Sequence, residues 1–174
     1  MPTKTALKLC PNLVILPVNF DKYKAESYKI RKIFKDYTDL IEPLSLDEAY
    51  LDLTNCERNE GIASRTALEI RKRIFQELRL TASAGIAPNK FLAKVTSDWK
   101  KPNGQFTITP NMVSDFMLSL KVERIPGVGK VTTQKMHSLN LMNCADLQKC
   151  SLTELSTHFG RWGAKTLRTK SRYR

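Results

Sequence analysis

Two histidines, His137 and His158, are all the imidazole this sequence offers, and its four cysteines form no CxxC pair. Without those spacings a zinc site has no ligand set. Cys10, Cys56, Cys144 and Cys150 read instead as free thiols in a reducing compartment. No apolar run approaches the ~18 residues of a membrane span, and no secretory signal is visible. A cytoplasmic protein without a membrane partner is expected. There is no internal repeat, no low-complexity tract and no GxxxxGK[ST] phosphate loop. Acid is scarce as well, and residues 1–20 contain none.

What is present is a chain of 174 residues, 41% hydrophobic, enough for a real core in one or two domains. Its net charge is +12. Such an excess argues for a polyanionic partner, nucleic acid before a membrane surface, with a solvated basic face as the plain alternative. The charge is uneven. Residues 1–55 carry 8 basic and 8 acidic side chains, residues 56–120 carry 10 and 6, and residues 121–174 carry 11 and 3. That division fits a catalytic front joined to a phosphate-binding back.

The elements follow from periodicity. A short amphipathic turn opens the chain, and Leu13 to Leu16 reads as a strand ended by Pro17. Apolar or small residues at Tyr23, Ser27, Ile30, Phe34 and Tyr37 mark a helix face, with Asp21 as its cap. "LIEPLSLDEAYLDLT" places two short β-favouring runs around "SLDE", which predicts a hairpin with carboxylates near its turn and Leu46, Tyr50, Leu51 and Leu53 available for burial. Ala63, Ala67, Ile70, Ile74 and Leu78 line the clearest helix, with Arg71, Lys72 and Arg73 mostly off that face. "TASAGIAP" reads as a buried strand, "NKFLAKVTSDW" as a helix capped near Asn89, and "FTIT" as a last strand. This α+β order ends near Thr109. Thr109-Pro110 then starts an all-helical segment, expected to fold even without the front half, and "AKTLRTKSRYR" reads as a frayed basic tail.

Three motifs carry chemistry. Asp47 and Glu48 are adjacent, with Asp52 further on. Strand neighbours point to opposite faces, but at a turn both carboxylates can converge on one hard cation. Mg²⁺ is commonly held by one or two carboxylates plus substrate phosphates. An ordinary acidic turn is the alternative. "RIPGVGK" places Gly127, Val128, Gly129 and Lys130 before a helix, in the form of a helix-hairpin-helix turn. Both glycines permit a sharp turn, and the amides and helix N-terminus can face a phosphate; a tight inter-helix turn is the alternative. Finally Lys90, Lys94, Lys100 and Lys101 fall within a dozen residues, as a triphosphate requires, unless they form a solvated face.

Together "IEPLSLDEAYLDLT", "TASAGIAPNKFLAKVTSDWKKPNGQF" and "IPGVGKVT" resemble, in order and spacing, the Y-family translesion DNA polymerases, from about Pro2 to Gly163. The resemblance implies a partial ferredoxin-like palm over 21–109, preceded by a remnant of the fingers over 1–20 and followed by a small helical thumb with a helix-hairpin-helix over 110–174. It implies that Asp47 is a Mg²⁺ ligand and Glu48 the catalytic glutamate and a second ligand. Ser45 would lie beside the primer terminus. Lys101 would contact the phosphates of the incoming deoxynucleoside triphosphate. Residues 126–130 would grip the backbone of primer–template DNA. The implied reaction is two-metal nucleotidyl transfer.

The same resemblance exposes gaps. The family's other aspartate sits on an N-terminal strand that this sequence does not show, nor does it show most of the fingers. The little-finger domain and sliding-clamp-binding tail are likewise not seen. The sequence therefore reads as a palm–thumb fragment with impaired activity. A DNA-binding remnant without catalysis is the alternative, and a palm-type cyclase, which would leave "RIPGVGK" unexplained, a distant third.

Overall fold

The computed structural model describes residues 1–171. α1 (Thr3–Leu9) precedes an extended stretch and α2 (Phe20–Lys35). β1 (Ile41–Pro43) and β2 (Ala49–Leu51) form an antiparallel hairpin with Pro43 opposite Ala49. α3 (Ala63–Leu78) leads into β3 (Ala84–Ile86), α4 (Lys90–Ser97) and β4 (Gln105–Thr107). β3 and β4 pair in parallel, so α4 is their crossover. Four helices follow: α5 (Val113–Ser119), α6 (Lys130–Ser138), α7 (Cys144–Lys149) and α8 (Leu152–Ser171), the last broken at Gly160, where φ is 71°. Among the described residues the two strand pairs stay separate sheets.

The local rules explain most of this. Asn89 caps α4, its side chain accepting from the Leu92 amide at 2.8 Å. The α3 face predicted from spacing is the one buried, with Ala67, Ile70 and Ile74 inside. β3 crosses α4 so closely that a Cβ on Gly85 would overlap the Ala93 carbonyl and the Thr96 hydroxyl. Only glycine fits there.

Among the described residues two apolar clusters hold the fold. The smaller joins Ile33 and Tyr37 to Ile70 and Ile74 of α3, with Leu51 and Leu53 of the hairpin against them. The larger takes Leu92 and Val95 from α4 and Ile108 after β4, and continues without a break into Met117, Ile125, Met136, Leu147 and Leu155. Trp99 bridges the halves, its ring 5.9 Å from Phe106 and 5.1 Å from Phe116. The helical half therefore does not bury its apolar face alone, as the sequence suggested; it shares one core with α4 and β4.

Other readings also change. No strand forms at Leu13 to Leu16, because no neighbour offers a ladder, and Val14 and Leu16 are 79% exposed. α2 is capped by Asn19, which accepts from the Lys22 amide at 3.0 Å, rather than by Asp21. Pro110–Met112 is a 3₁₀ turn before α5. Leu46 is exposed on the hairpin loop, and the Ala84–Ile86 strand is half-buried rather than buried. The expected frayed tail is helix through Ser171, since Ala164 and Leu167 enter the larger core. The rest of that reading, residues 172–174, lies outside the described residues.

Candidate metal and nucleic-acid site

The loop between β1 and β2 is tightly closed. The Glu48 carbonyl accepts from the amides of Leu44 at 2.9 Å and Ser45 at 3.3 Å. Arg31 of α2 donates to the Ser45 carbonyl at 3.1 Å. The Ser45 hydroxyl donates to Asp47 Oδ1 at 2.7 Å, which holds the Asp47 carboxyl below its ordinary range. Lys94 and Lys101 add smaller electrostatic contributions in the same direction, so both ammonium groups lie within range of that carboxylate. The Ser45–Asp47 bond favours the ionised form. Its stabilisation is complete above the ordinary aspartate value of about 4 and is lost as pH falls through the lower folded value. Ser45→Ala is expected to raise the midpoint of Asp47, read from its side-chain carboxyl resonance by NMR. An unchanged midpoint would show that the hydroxyl does not hold the carboxylate.

The lysines of α4 meet the hairpin. Lys90 pairs with Glu42 and Lys94 with Glu48, both by short contacts. Lys101 pairs with Asp98 at 2.5 Å, which raises its own pKa. Three of the four lysines of the basic cluster, Lys90, Lys94 and Lys101, are thus ion-paired. Among the described residues no three His, Cys, Asp or Glu side chains gather to hold a metal, so the hairpin offers Asp47 and Glu48 alone, and Asp52 turns instead to Thr54.

Sequence reasoning missed Arg71. It leaves α3 to donate to the Ala82 carbonyl at 2.8 Å, to Gln105 Oε1 at 3.0 Å, and to both the carbonyl and the side-chain oxygen of Asn103. Its fork thereby fixes the turn that carries Lys101. No local pattern announces this, because the partners lie up to 34 residues away.

The second motif forms a turn entered through a single 3₁₀ turn, Val122–Arg124, and left by α6. Gly127 has φ of 89°, the left-handed region that a side chain disfavours. Gly129 does not need that freedom: its φ is −87°, and a Cβ there would meet nothing within 4 Å. No side chain caps α6, and Lys130 is exposed beside those first amides. Val128 is half-buried against the larger core. Behind the turn, Lys170 of α8 donates to the Pro126 carbonyl at 2.6 Å. A cleft of about 260 Å³ lies between the α4 region, through Lys94, Val95 and Asp98, and the glycine turn, through Glu123, Arg124, Gly127 and Val128.

The structure thus sets two adjacent carboxylates on a closed hairpin loop, and Lys94 of α4 joins that loop to the cleft beneath the Gly127 turn. Residues 1–98 match the impB/mucB/samB family, and residues 123–172 match the thumb domain of DNA polymerase iota. The chain belongs to that family, the Y-family DNA polymerases. Within it the homologues are bacterial DNA polymerases IV. That of Mannheimia succiniciproducens is 57% identical over 165 residues, covering 95% of this chain and 46% of the relative, and that of Protochlamydia amoebophila is 58% identical over 160 residues, covering 92% and 46%. The chain thus spans about half the length of the curated relatives it matches. Crystalline DinB from Sulfolobus solfataricus superposes with a TM-score of 0.90 at 33% identity, over 98% of this chain and 50% of that one. An insertion ternary complex of Dbh DNA polymerase gives 0.86 at 33% identity, over 98% and 50%. No described helix is long and apolar enough to cross a membrane.

Proposed function

We propose that this chain is the palm and thumb of an error-prone translesion DNA polymerase of the DNA polymerase IV kind, acting in DNA repair by template-directed nucleotidyl transfer in the cytoplasm. The observation that carries the reading is the closed loop that sets Asp47 and Glu48 beside Lys94 and Lys101, with Lys94 also lining the cleft beneath Gly127 and Val128. On this reading residues 1–20 belong to the fingers, 21–109 to the palm and 110–174 to a helix-hairpin-helix thumb.

The carboxylates of Asp47 and Glu48 supply hard oxygens of the type Mg²⁺ takes, completed in number by substrate phosphates. They fit the ion as part of a ligand set. When bound, such a cation stabilises charge on the phosphoryl oxygens during transfer. Ser45 orients Asp47 and lies where a primer terminus would approach. Lys101, fixed on its turn by Arg71, places a cation for the phosphates of a deoxynucleoside triphosphate. The amides after Gly127, with Lys130, bind the DNA backbone without reading sequence, since phosphates carry none. The two-carboxylate set also favours a second reading, in which the isolated chain binds DNA but does not catalyse.

The test is DNA binding. Duplexes of unrelated sequence should bind alike, with affinity falling steeply as salt rises. Lys130→Ala should weaken all of them about equally and flatten the slope of log affinity against log salt by about one unit. Strong preference for one sequence, or binding indifferent to salt, contradicts the thumb assignment.

A further inference from the structure

Lys94 stands between the two motifs. Its ammonium donates to Glu48, and its side chain lines the cleft below the Gly127 turn. The other charged groups of that cleft are engaged elsewhere. Asp98 pairs with Lys101, Glu123 lies 3.6 Å from His137 Nε2, and the Arg124 guanidinium sits 5.6 Å from the centre of the Trp99 ring. Lys94 is half-buried on α4, so its stem is held by the fold while its head reaches a carboxylate on another element, 46 residues away in sequence. No feature of the fold needs this pair for burial, because Glu48 is itself only partly covered.

The carboxylate that Lys94 occupies is a proposed metal ligand, and the inference rests on that reading. An ammonium and a divalent cation compete for the same oxygen, and at a few ångströms they repel each other. A lysine head is a compact charge on a flexible four-carbon stem, which can release one acceptor and turn toward another. We propose that Lys94 is a positioning residue that competes with the metal. It neutralises and fixes Glu48 before a divalent cation binds, and it withdraws into the cleft when the cation takes the carboxylate. The intrinsic affinity of the hairpin for divalent metal is thereby held down by a charge from α4.

Mn²⁺ titration of the 174-residue chain, followed by calorimetry or by water-proton relaxation at low salt, tests this without any catalysed reaction. Lys94→Met keeps the stem and removes the charge. It is expected to bind Mn²⁺ about tenfold more tightly than the unaltered chain, the scale of two charges against one at a few ångströms in water. The gain should shrink as salt screens the ammonium, and Lys94→Arg should stay near the unaltered affinity. Lys94→Gln serves as a second neutral variant should Lys94→Met lose its circular dichroism. A lysine with only a structural role would leave the metal affinity unchanged or weaken it on removal. Equal or weaker binding by both neutral variants, with Asp47→Asn still abolishing Mn²⁺ uptake, overturns the competition and leaves the metal site standing. Uptake that is absent, or indifferent to Asp47→Asn, overturns the metal reading and the competition together.

Discussion

Incubated with primer–template DNA, all four deoxynucleoside triphosphates and Mg²⁺, the 174-residue chain is expected to leave the primer unextended. Asp47 and Glu48 are adjacent on one loop, and no third carboxylate, histidine or cysteine joins them among the described residues. Mg²⁺ dehydrates reluctantly and demands near-octahedral oxygen. Two side chains, one of them already tied to Lys94, can hold one ion weakly with help from nucleotide phosphates, but not two ions in register. In-line phosphoryl transfer depends almost wholly on positioning and charge stabilisation, and effective molarity lost through misalignment is worth several orders of magnitude in rate. Robust extension by the chain alone that Asp47→Ala abolishes would show that the two hairpin carboxylates suffice.

The second large effect concerns stability. Leu92→Ala is expected to cost about 2–5 kcal/mol, the range for emptying a fully buried aliphatic site. More telling is where the loss appears. Leu92 belongs to the α4 crossover, yet its cluster runs through Met117, Met136 and Leu155. Hydrogen exchange should therefore speed up across α5, α6 and α7 as well as α4. Ile74→Ala, in the separate α2–α3 cluster, should loosen α2 and α3 and leave the helical half protected. If Leu92→Ala leaves α5–α7 at their original exchange rates, the two halves fold independently and the shared core does not couple them.

The contrast between what the sequence discloses and what it withholds is a contrast of range. The hairpin of "SLDE", the apolar face of α3 and the Asn89 cap are settled within a few residues of themselves, so periodicity and turn chemistry suffice. Leu13 to Leu16 misleads because β-favouring side chains do not make a strand without a partner. The helix at 161–171 is concealed because Ala164 and Leu167 are too few to draw a face, and the surface they meet belongs to other helices. Of the site, the acids and the glycine turn are visible as motifs. The clasp of Lys94 on Glu48 and the reach of Arg71 are not, since each joins residues more than 30 positions apart.

That reach bears on how the chain can vary through descent. The guanidinium of Arg71 spans four acceptor oxygens on three residues because its donors diverge in a rigid plane, while a lysine would gather its three donors on one nitrogen and could not reach the same spread of acceptors. A substitution table scores the exchange as mild. At this position it would release Asn103 and Gln105 together and let the Lys101 turn drift. One side chain thus ties positions 71, 103 and 105 together, even though nothing in their spacing along the sequence connects them.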